Sequence, residues 1–230
     1  LEKVDVPAYK VASGQIIEHA FLNQIAMTGK PIFLSTGMAM ITEIEEALTV
    51  IRNTGNDQVV LLQCTTNYPS RTQDANLRVI PMFEEKFDCV AGYSDPTLGM
   101  EAVYAAVALG ACVIEKHFTL DKTFEGPDHL SSMVPEEMKI LVKNIRQIEK
   151  AMGNGIKIPT QAELENINGM RRSIVATANI AKGQIITKEN ISFKRPGTGL
   201  SPKLYNDIIG KMVIKDIVKD ELIQRQKIKW

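Results

Sequence analysis

The sequence has 230 residues, of which 44% are apolar and 23% charged, a composition that excludes disordered and fibrous proteins. Lysine and arginine together number 27, as do aspartate and glutamate, so the chain as a whole lacks the basic surplus of a nucleic-acid-binding protein and we expect no nucleic-acid partner. Its longest apolar stretch, residues 102–114, is shorter than the roughly 20 residues of a membrane-spanning helix, so we expect no membrane partner.

Up to about residue 150 one pattern recurs, in which a short apolar run is followed by a helical segment. The runs start roughly 22 to 30 residues apart, which is the pitch of a strand–helix unit. The pattern predicts five parallel strands, at residues 8–12, 31–34, 59–63, 89–92 and 112–114. It predicts helices at residues 16–28, 42–54, 98–109 and 135–152.

Each predicted strand ends in polar or ionisable side chains. Five strand ends in a row deliver such groups to one rim, which is where parallel α/β folds place their active sites. Polar residues also follow buried strands merely because loops are solvated, but a lysine and a histidine within the set favour a site. The residues at the five ends are Lys10 and Ser13; Ser35 and Thr36; Thr65, Thr66 and Asn67; Ser94 and Asp95; Glu115 and His117.

Five strand–helix units do not close a TIM barrel, which usually has eight strands and about 250 residues. About three units would then precede Leu1, and a chain that starts with leucine and shows no signal peptide fits this expectation. An open doubly wound sheet would need no missing part. The pattern alone leaves both folds open.

The second part of the chain differs in charge. Residues 170–230 carry 13 basic and 5 acidic side chains, net +8, against −8 for residues 1–169. Short β-prone pieces separated by turns predict a compact β-rich module that docks on the acidic body, meets an anionic ligand or is simply solvated. We therefore predict a partial barrel at 1–152, a linker at 153–169 with room for a short helix, and the module at 170–230.

The three cysteines are widely spaced and lie in or beside apolar runs. This spacing forms neither a disulfide framework nor a zinc-binding pattern. It predicts buried thiols in a reducing compartment, so we expect a cytoplasmic protein. The residues are Cys64, Cys89 and Cys112.

Six motifs follow the predicted strands: YKVASG at 9–14, LSTGM at 34–38, CTTNYP at 64–69, GYSD at 92–95, IEKHFT at 114–119 and GPDH at 126–129. The basic module carries MRRS at 170–173, IAKG at 180–183 and KRPGTG at 194–199. In this order and spacing the chain resembles, over essentially its whole length, the sialic acid synthase family, also called N-acetylneuraminate synthases. The module is similar to that family's antifreeze-like (SAF) domain.

The resemblance implies a TIM (β/α)8-type barrel, with its N-terminal strands missing from this chain, followed by a small β-rich SAF domain of the β-clip type. It implies a transferase that condenses phosphoenolpyruvate with N-acetylmannosamine, releases phosphate and forms the nine-carbon N-acetylneuraminate. Close relatives make legionaminic or pseudaminic acid from diacetamido hexoses. The resemblance also implies a homodimer in which the SAF domain covers the partner's barrel.

Phosphoenolpyruvate is an anion, so its site needs cations and hydrogen-bond donors within a few ångströms. Lys10 can supply a mobile positive charge. Two of the candidate serines, Ser35 and Ser94, have an alternative role as caps of the helices that follow them. By resemblance, the phosphoenolpyruvate contacts are Lys10, Ser13, Ser35, Ser94 and either Thr66 or Asn67, since the loop can be aligned both ways.

The aldehyde of the open-chain sugar must be made electrophilic, and a divalent ion, Mn²⁺ or Mg²⁺, does this as a Lewis acid. His117 lies two residues after Glu115 on one strand, so both project to the same face and we predict that both are catalytic. By resemblance His117 is a metal ligand, although a lone histidine on a strand is more often a core residue.

The family's second metal-binding histidine follows the Ser-Asp pair, where this chain has Pro96. Proline has no ligand atom, so the metal affinity falls unless another residue replaces the histidine. His129 and Asp95 are the nearest chemical candidates. A non-catalytic descendant of the synthases is therefore an alternative to an active enzyme.

Three further residues match family positions that contact the sugar. Asp128 would contact the sugar and assist proton transfer, although aspartate is also welcome in a plain Gly-Pro-Asp turn. Tyr68 would line the sugar pocket. Arg195 would reach the N-acyl group from the partner subunit, or it is an ordinary surface arginine.

Overall fold

The computed structural model describes residues 2–230 and divides them into two compact units, with the division between Gly155 and Ile156. Among the described helices, none combines the length and the apolar character that a membrane span requires. Each unit has a hydrophobic core of its own.

The first unit contains a five-stranded parallel sheet whose strands are hydrogen-bonded in chain order. In a doubly wound sheet the strand order reverses at a switch point, so the observed order excludes that fold and confirms the half-barrel of TIM type. The strands are β1 (Tyr9–Val11), β2 (Ile32–Ser35), β3 (Val59–Gln63), β4 (Val90–Asp95) and β5 (Val113–Lys116). The helices are α1 (His19–Ala26), α2 (Ile41–Arg52), α3 (Val79–Phe87), α4 (Glu101–Ala108) and α5 (Pro135–Met152).

Alternate strand residues build the core between the sheet and its helices. Val11, Leu34 and Leu61 are aligned by the strand register, are fully buried and pack with the apolar faces of the helices. Burying each such side chain stabilises the fold by about 1.5–3 kcal/mol. Because side chains alternate along a strand, the residues between them face the opposite side of the sheet. The polar strand residues on that second side are Lys10, Ser35, Ser94 and Glu115.

Helix α3 is not predicted by the sequence pattern. Pro81 stands at its third position, where a proline reads as a helix breaker. The backbone N–H groups of a first helical turn have no partner within the helix, so proline is tolerated there. The helix then buries Ile80, Phe83 and Phe87 against the core.

The prediction of buried thiols is wrong for one of the three cysteines. Cys64 is buried and Cys89 is partly buried, and burial raises the pKa of the Cys89 thiol. Cys112 is exposed, because it precedes β5 instead of lying within the strand.

The second unit begins in the segment predicted as a linker. Helix α6 (Gln161–Met170) starts at a capping box, in which the Thr160 hydroxyl accepts from the Glu163 N–H and the Glu163 carboxylate accepts from the Thr160 N–H. A hairpin of β6 (Ser173–Ala176) and β7 (Ile191–Lys194) follows, and α7 spans Tyr205–Ile208. The fully buried core residues of this unit include Ile174, Ile186, Ile208, Val213 and Ile223.

Candidate active site

Lys10 and Glu115 connect the two outer strands of the sheet. The Lys10 Nζ lies 3.4 Å from the Glu115 Oε1, although β1 and β5 are the outermost strands of five. In a flat sheet these strands would be about 19 Å apart, so only strong curvature lets the side chains meet. The side chains are 35% and 40% exposed and therefore open to a ligand.

Ser94 belongs to the same cluster. Its Oγ donates to the Glu115 Oε1 at 2.6 Å, between residues that the register aligns. This bond engages the Ser94 hydroxyl, and α4 begins only at Glu101 with no side-chain cap, so the structure does not support the capping role. The Lys10 contact is longer than the 2.7–2.9 Å of strong charge-assisted bonds, which leaves the ammonium group with donor capacity.

Ser35 ends β2 on the same face as Lys10. Ser35 is only 3% exposed, yet its Oγ has no hydrogen-bond partner among the residues that the structure describes. A buried polar group without a partner costs about 1–3 kcal/mol, so such a group calls for an explanation. It is not a helix cap, because α2 begins at Ile41. A ligand acceptor is the partner that fits its position on the rim.

Ser13, Gly37 and Thr66 form a tight cradle beside these residues. The Ser13 Oγ accepts from the Gly37 N–H at 3.0 Å and lies 3.1 Å from the Cys64 Sγ. A Cβ on Gly37 would lie 2.7 Å from the Thr66 Oγ1 and 2.9 Å from the Ser13 Oγ, so a larger residue here would force these side chains to move. The Thr66 hydroxyl therefore belongs to the cradle, next to the Ser13 hydroxyl.

Tyr68, His117 and Asp128 form a second group. The Tyr68 and His117 rings lie 5.3 Å apart, and the His117 Nδ1 is 3.9 Å from the Asp128 Oδ2. Burial raises the pKa of Tyr68, and the negative charges of Glu115 and Asp128 add to the effect. The Tyr68 hydroxyl therefore stays protonated, and the charges of both Glu115 and Asp128 act on it.

Asp95, one of the two candidates to replace the missing histidine, faces the helix side of the sheet. Its carboxylate contacts the Lys116 Nζ at 2.7 Å and accepts from the Tyr93 hydroxyl at 3.0 Å and from the Thr97 N–H at 2.8 Å. Its side chain is fully buried. Asp95 is therefore committed to these partners and does not serve as a metal ligand on the rim.

His129, the other candidate, is engaged within its own loop. Its Nδ1 lies 2.7 Å from the Thr119 Oγ1, and its ring packs against the edge of Phe124. Pro96 itself is buried, and its carbonyl accepts from the Ser70 N–H at 2.9 Å. Neither His129 nor Pro96 therefore supplies the second metal ligand that the family motif predicts.

The chemistry of the donors decides how well a divalent ion fits. Within the described part of the chain, no group of three or more His, Cys, Asp or Glu side chains could hold a metal ion. His117 and Asp128 offer two donors. The described residues therefore do not make up the predicted Mn²⁺ or Mg²⁺ site by themselves.

Arg195 lies in the second unit, in a loop fixed by hydrogen bonds. Its Nε donates to the Met170 carbonyl at the end of α6 at 3.0 Å. The Ser173 Oγ donates to the Pro196 carbonyl at 2.7 Å and accepts from the Gly199 N–H at 2.8 Å. The Arg195 side chain is thus held through the Nε of its guanidinium group while the residue stays exposed.

The sequence interpretation missed Lys116, Gly37 and Cys64. Lys116 could have been found, because alternation places the residue between Glu115 and His117 on the helix side, where a charge needs a partner. Gly37 and Cys64 could not, since their importance lies in distances between separate loops.

Comparisons with known proteins agree with these motifs. A sequence model described as the NeuB family matches residues 1–157, and the SAF domain matches residues 171–229. The N,N'-diacetyllegionaminic acid synthase of Campylobacter jejuni is 46% identical over 97% of this chain and 68% of its own length. The pseudaminic acid synthase of the same species is 39% identical over 94% and 63%.

A solved structure shows the same relationship. The N-acetylneuraminic acid synthetase of Leptospira borgpetersenii, crystallised in complex with citrate, superposes with a TM-score of 0.69 and 36% identity over 73% of this chain and 58% of its own. The chain spans about two thirds of the length of the curated relatives that it matches.

Proposed function

The chain belongs to the NeuB family, and from this premise we propose that it forms part of an enzyme that condenses phosphoenolpyruvate with an N-acylated hexosamine and releases phosphate. The observation that carries the proposal is the curved rim, where a lysine contacts a carboxylate and a buried hydroxyl on the same face has no partner among the described residues. Such a rim offers a small anion both charge and directed donors.

Phosphoenolpyruvate binding is assigned to the first cluster. We propose that the Lys10 ammonium group pairs with the anion, while the free Ser35 hydroxyl and the Ser13 hydroxyl of the cradle donate to it. The cradle supports the assignment, because the hydrogen bond from the Gly37 N–H fixes the position of the Ser13 hydroxyl. The full set proposed to contact phosphoenolpyruvate is Lys10, Ser13, Ser35, Thr66 and Ser94. For Ser94 this contact requires the hydroxyl to turn from the Glu115 Oε1 to the anion on binding.

The proposed reaction forms one carbon–carbon bond, between C3 of phosphoenolpyruvate and the aldehyde carbon of the sugar. The aldehyde oxygen takes up a proton, water adds at C2, and inorganic phosphate leaves C2 to give the 2-keto acid. We assign proton delivery at the aldehyde oxygen to His117, held near Asp128, and acceptance of the water proton to Glu115. Tyr68 would line the sugar pocket beside His117.

The proposal includes a divalent ion, Mn²⁺ or Mg²⁺, for which His117 is the one ligand proposed. When bound, such an ion polarises a carbonyl oxygen. Because the described donors do not complete a site, no step of the reaction is assigned to the ion.

The identity of the sugar substrate is the most specific part of the proposal. N-acetylmannosamine, giving N-acetylneuraminate, is the first candidate, and diacetamido hexoses stand beside it because two relatives are legionaminic and pseudaminic acid synthases. We propose that Arg195 contacts the N-acyl group, in a homodimer whose SAF domain covers the partner's barrel. A cytoplasmic location is proposed as well, which fits the three free cysteines.

The test is phosphate release from phosphoenolpyruvate by the complete gene product, with N-acetylmannosamine or a diacetamido hexose, in the presence and absence of Mn²⁺. We expect release that requires one of these sugars and is lost in His117→Ala. The matched control is His19→Ala, on α1, where the imidazole contacts Glu46 at 3.8 Å. Binding of phosphoenolpyruvate without release for any sugar would instead identify a non-catalytic descendant.

A further inference from the structure

An ion pair lies buried on the helix side of the sheet, away from the proposed chemistry. The Lys116 Nζ lies 2.7 Å from the Asp95 Oδ2, with side chains 3% and 0% exposed. Taking two charges out of water is unfavourable unless the remaining donors and acceptors are also satisfied. Here they are satisfied by the protein, because the Asp95 carboxylate also accepts from the Tyr93 hydroxyl and the Thr97 N–H.

The pair holds both backbone groups of one residue. Asp95 accepts from the Thr97 N–H, and the Lys116 Nζ donates to the Thr97 carbonyl. Thr97 is 1% exposed, and it forms a bridge with Ser70. The Pro96 carbonyl beside it accepts from the Ser70 N–H at 2.9 Å. The ion pair therefore anchors the end of the loop 65–70, which carries Thr66 and Tyr68.

The same pair also fixes the opposite face of the sheet. The register aligns Ser94 with Glu115 and, one residue later, Asp95 with Lys116. Because side chains alternate, the first pair faces the rim and the second faces the helices. A change in the spacing of the buried pair would move the contact between Ser94 and Glu115.

We propose that Asp95 and Lys116 are positioning residues for the phosphoenolpyruvate site, acting through Thr97, Pro96 and Ser70 on one side and through the strand register on the other. Stability alone does not account for the pair, since buried ion pairs can often be replaced by apolar residues of similar volume without loss of stability. The proposal rests on the proposed function for its ligand. Its structural part, the anchoring of the loop 65–70, is independent of that function.

The test uses the double variant Asp95→Leu/Lys116→Met, which removes both charges and keeps the volume. The matched control is Lys122→Met, which removes the exposed partner of Glu137 in the same unit. We expect the double variant to keep the far-UV circular dichroism of the wild type. We expect the Ser70 and Thr97 amides to exchange about tenfold faster, and kcat/KM for phosphoenolpyruvate to fall roughly a hundredfold, the effect of a misplacement of about 1 Å.

Unchanged amide exchange together with unchanged kcat/KM and phosphoenolpyruvate affinity would overturn the proposal. A fall in melting temperature alone, with kcat, KM and exchange as in the wild type, would show a merely structural role and overturn it too. If the double variant does not fold, Asp95→Asn, which keeps an acceptor for the Thr97 N–H, is measured in the same way. If the wild type binds no phosphoenolpyruvate, the proposed function fails. The amide exchange of the double variant still tests the anchoring of the loop 65–70: faster exchange of Ser70 and Thr97 supports it, and unchanged exchange contradicts it.

Discussion

The Ser94 hydroxyl donates a 2.6 Å hydrogen bond to the carboxylate of Glu115, its register partner on the neighbouring strand. One residue further along both strands, Asp95 and Lys116 form a buried ion pair on the other face. The rim contact between Ser94 and Glu115 and the buried ion pair of Asp95 and Lys116 thus occupy consecutive positions of the same two strands.

Ser35→Ala separates binding from stability. The substitution removes a buried hydroxyl that has no protein partner among the described residues, so the free energy of unfolding should change by less than about 1 kcal/mol or rise. Affinity for phosphoenolpyruvate should fall roughly tenfold, because a hydrogen bond to a charged ligand contributes about 1.5–3 kcal/mol. Urea unfolding and calorimetric titration measure the two effects. A variant with reduced stability and unchanged affinity would show that Ser35 has a structural partner instead.

Gly37→Ala tests the cradle. The new Cβ would lie within 3.0 Å of the Thr66 Oγ1, the Ser13 Oγ and the Cys64 Sγ. We expect a loss of about 1–3 kcal/mol of stability from overpacking and a large loss of phosphoenolpyruvate affinity. The control is Gly14→Ala, because nothing lies within 4 Å of a Cβ at Gly14. Equal thermal unfolding and equal affinity of the two variants would argue against a tight cradle.

Much of this arrangement follows from the sequence, and the exceptions have physical causes. The strand ends that carry Lys10, Ser94 and Glu115 are predictable because buried parallel strands read as apolar runs that stop where the chain becomes polar. The free hydroxyl of Ser35 is not predictable, since a serine after a strand has the same sequence signature whether it caps a helix or binds a ligand. Helix α3 is hard to predict from the sequence, because a proline such as Pro81 is typical of a helix break unless the start of the helix is known.

Pro96→His tests the metal expectation. His117 and Asp128 provide two donors, so we expect the wild-type chain to bind Mn²⁺ weakly. A histidine at position 96 restores the family motif after Ser94 and Asp95, and we expect Mn²⁺ affinity to rise about tenfold or more. Titration followed by electron paramagnetic resonance measures the free ion directly. His117→Ala in the Pro96→His background should cancel the gain, and a gain that persists there would place the ion elsewhere.

Ser173→Ala tests how the Arg195 loop is held. The hydroxyl of this fully buried residue bonds to the Pro196 carbonyl and to the Gly199 N–H, and its removal leaves both without this partner. The cost in stability should be about 1–3 kcal/mol. We also expect KM for the sugar to rise while KM for phosphoenolpyruvate stays constant. Ser192→Ala, on the opposite strand of the same hairpin, is the control, and equal sugar KM values in both variants would contradict a positioning role.

Titration of the complete gene product with phosphoenolpyruvate, monitored by calorimetry, tests most directly whether the curved rim is the phosphoenolpyruvate site. The comparison is between the wild type, Lys10→Met and the control Lys86→Met, whose lysine lies on α3 and pairs with Glu45. We predict that Lys10→Met weakens binding by about tenfold or more, because it removes a charge-assisted contact, and that Lys86→Met binds like the wild type. Equal affinities of the wild type and Lys10→Met would contradict the account.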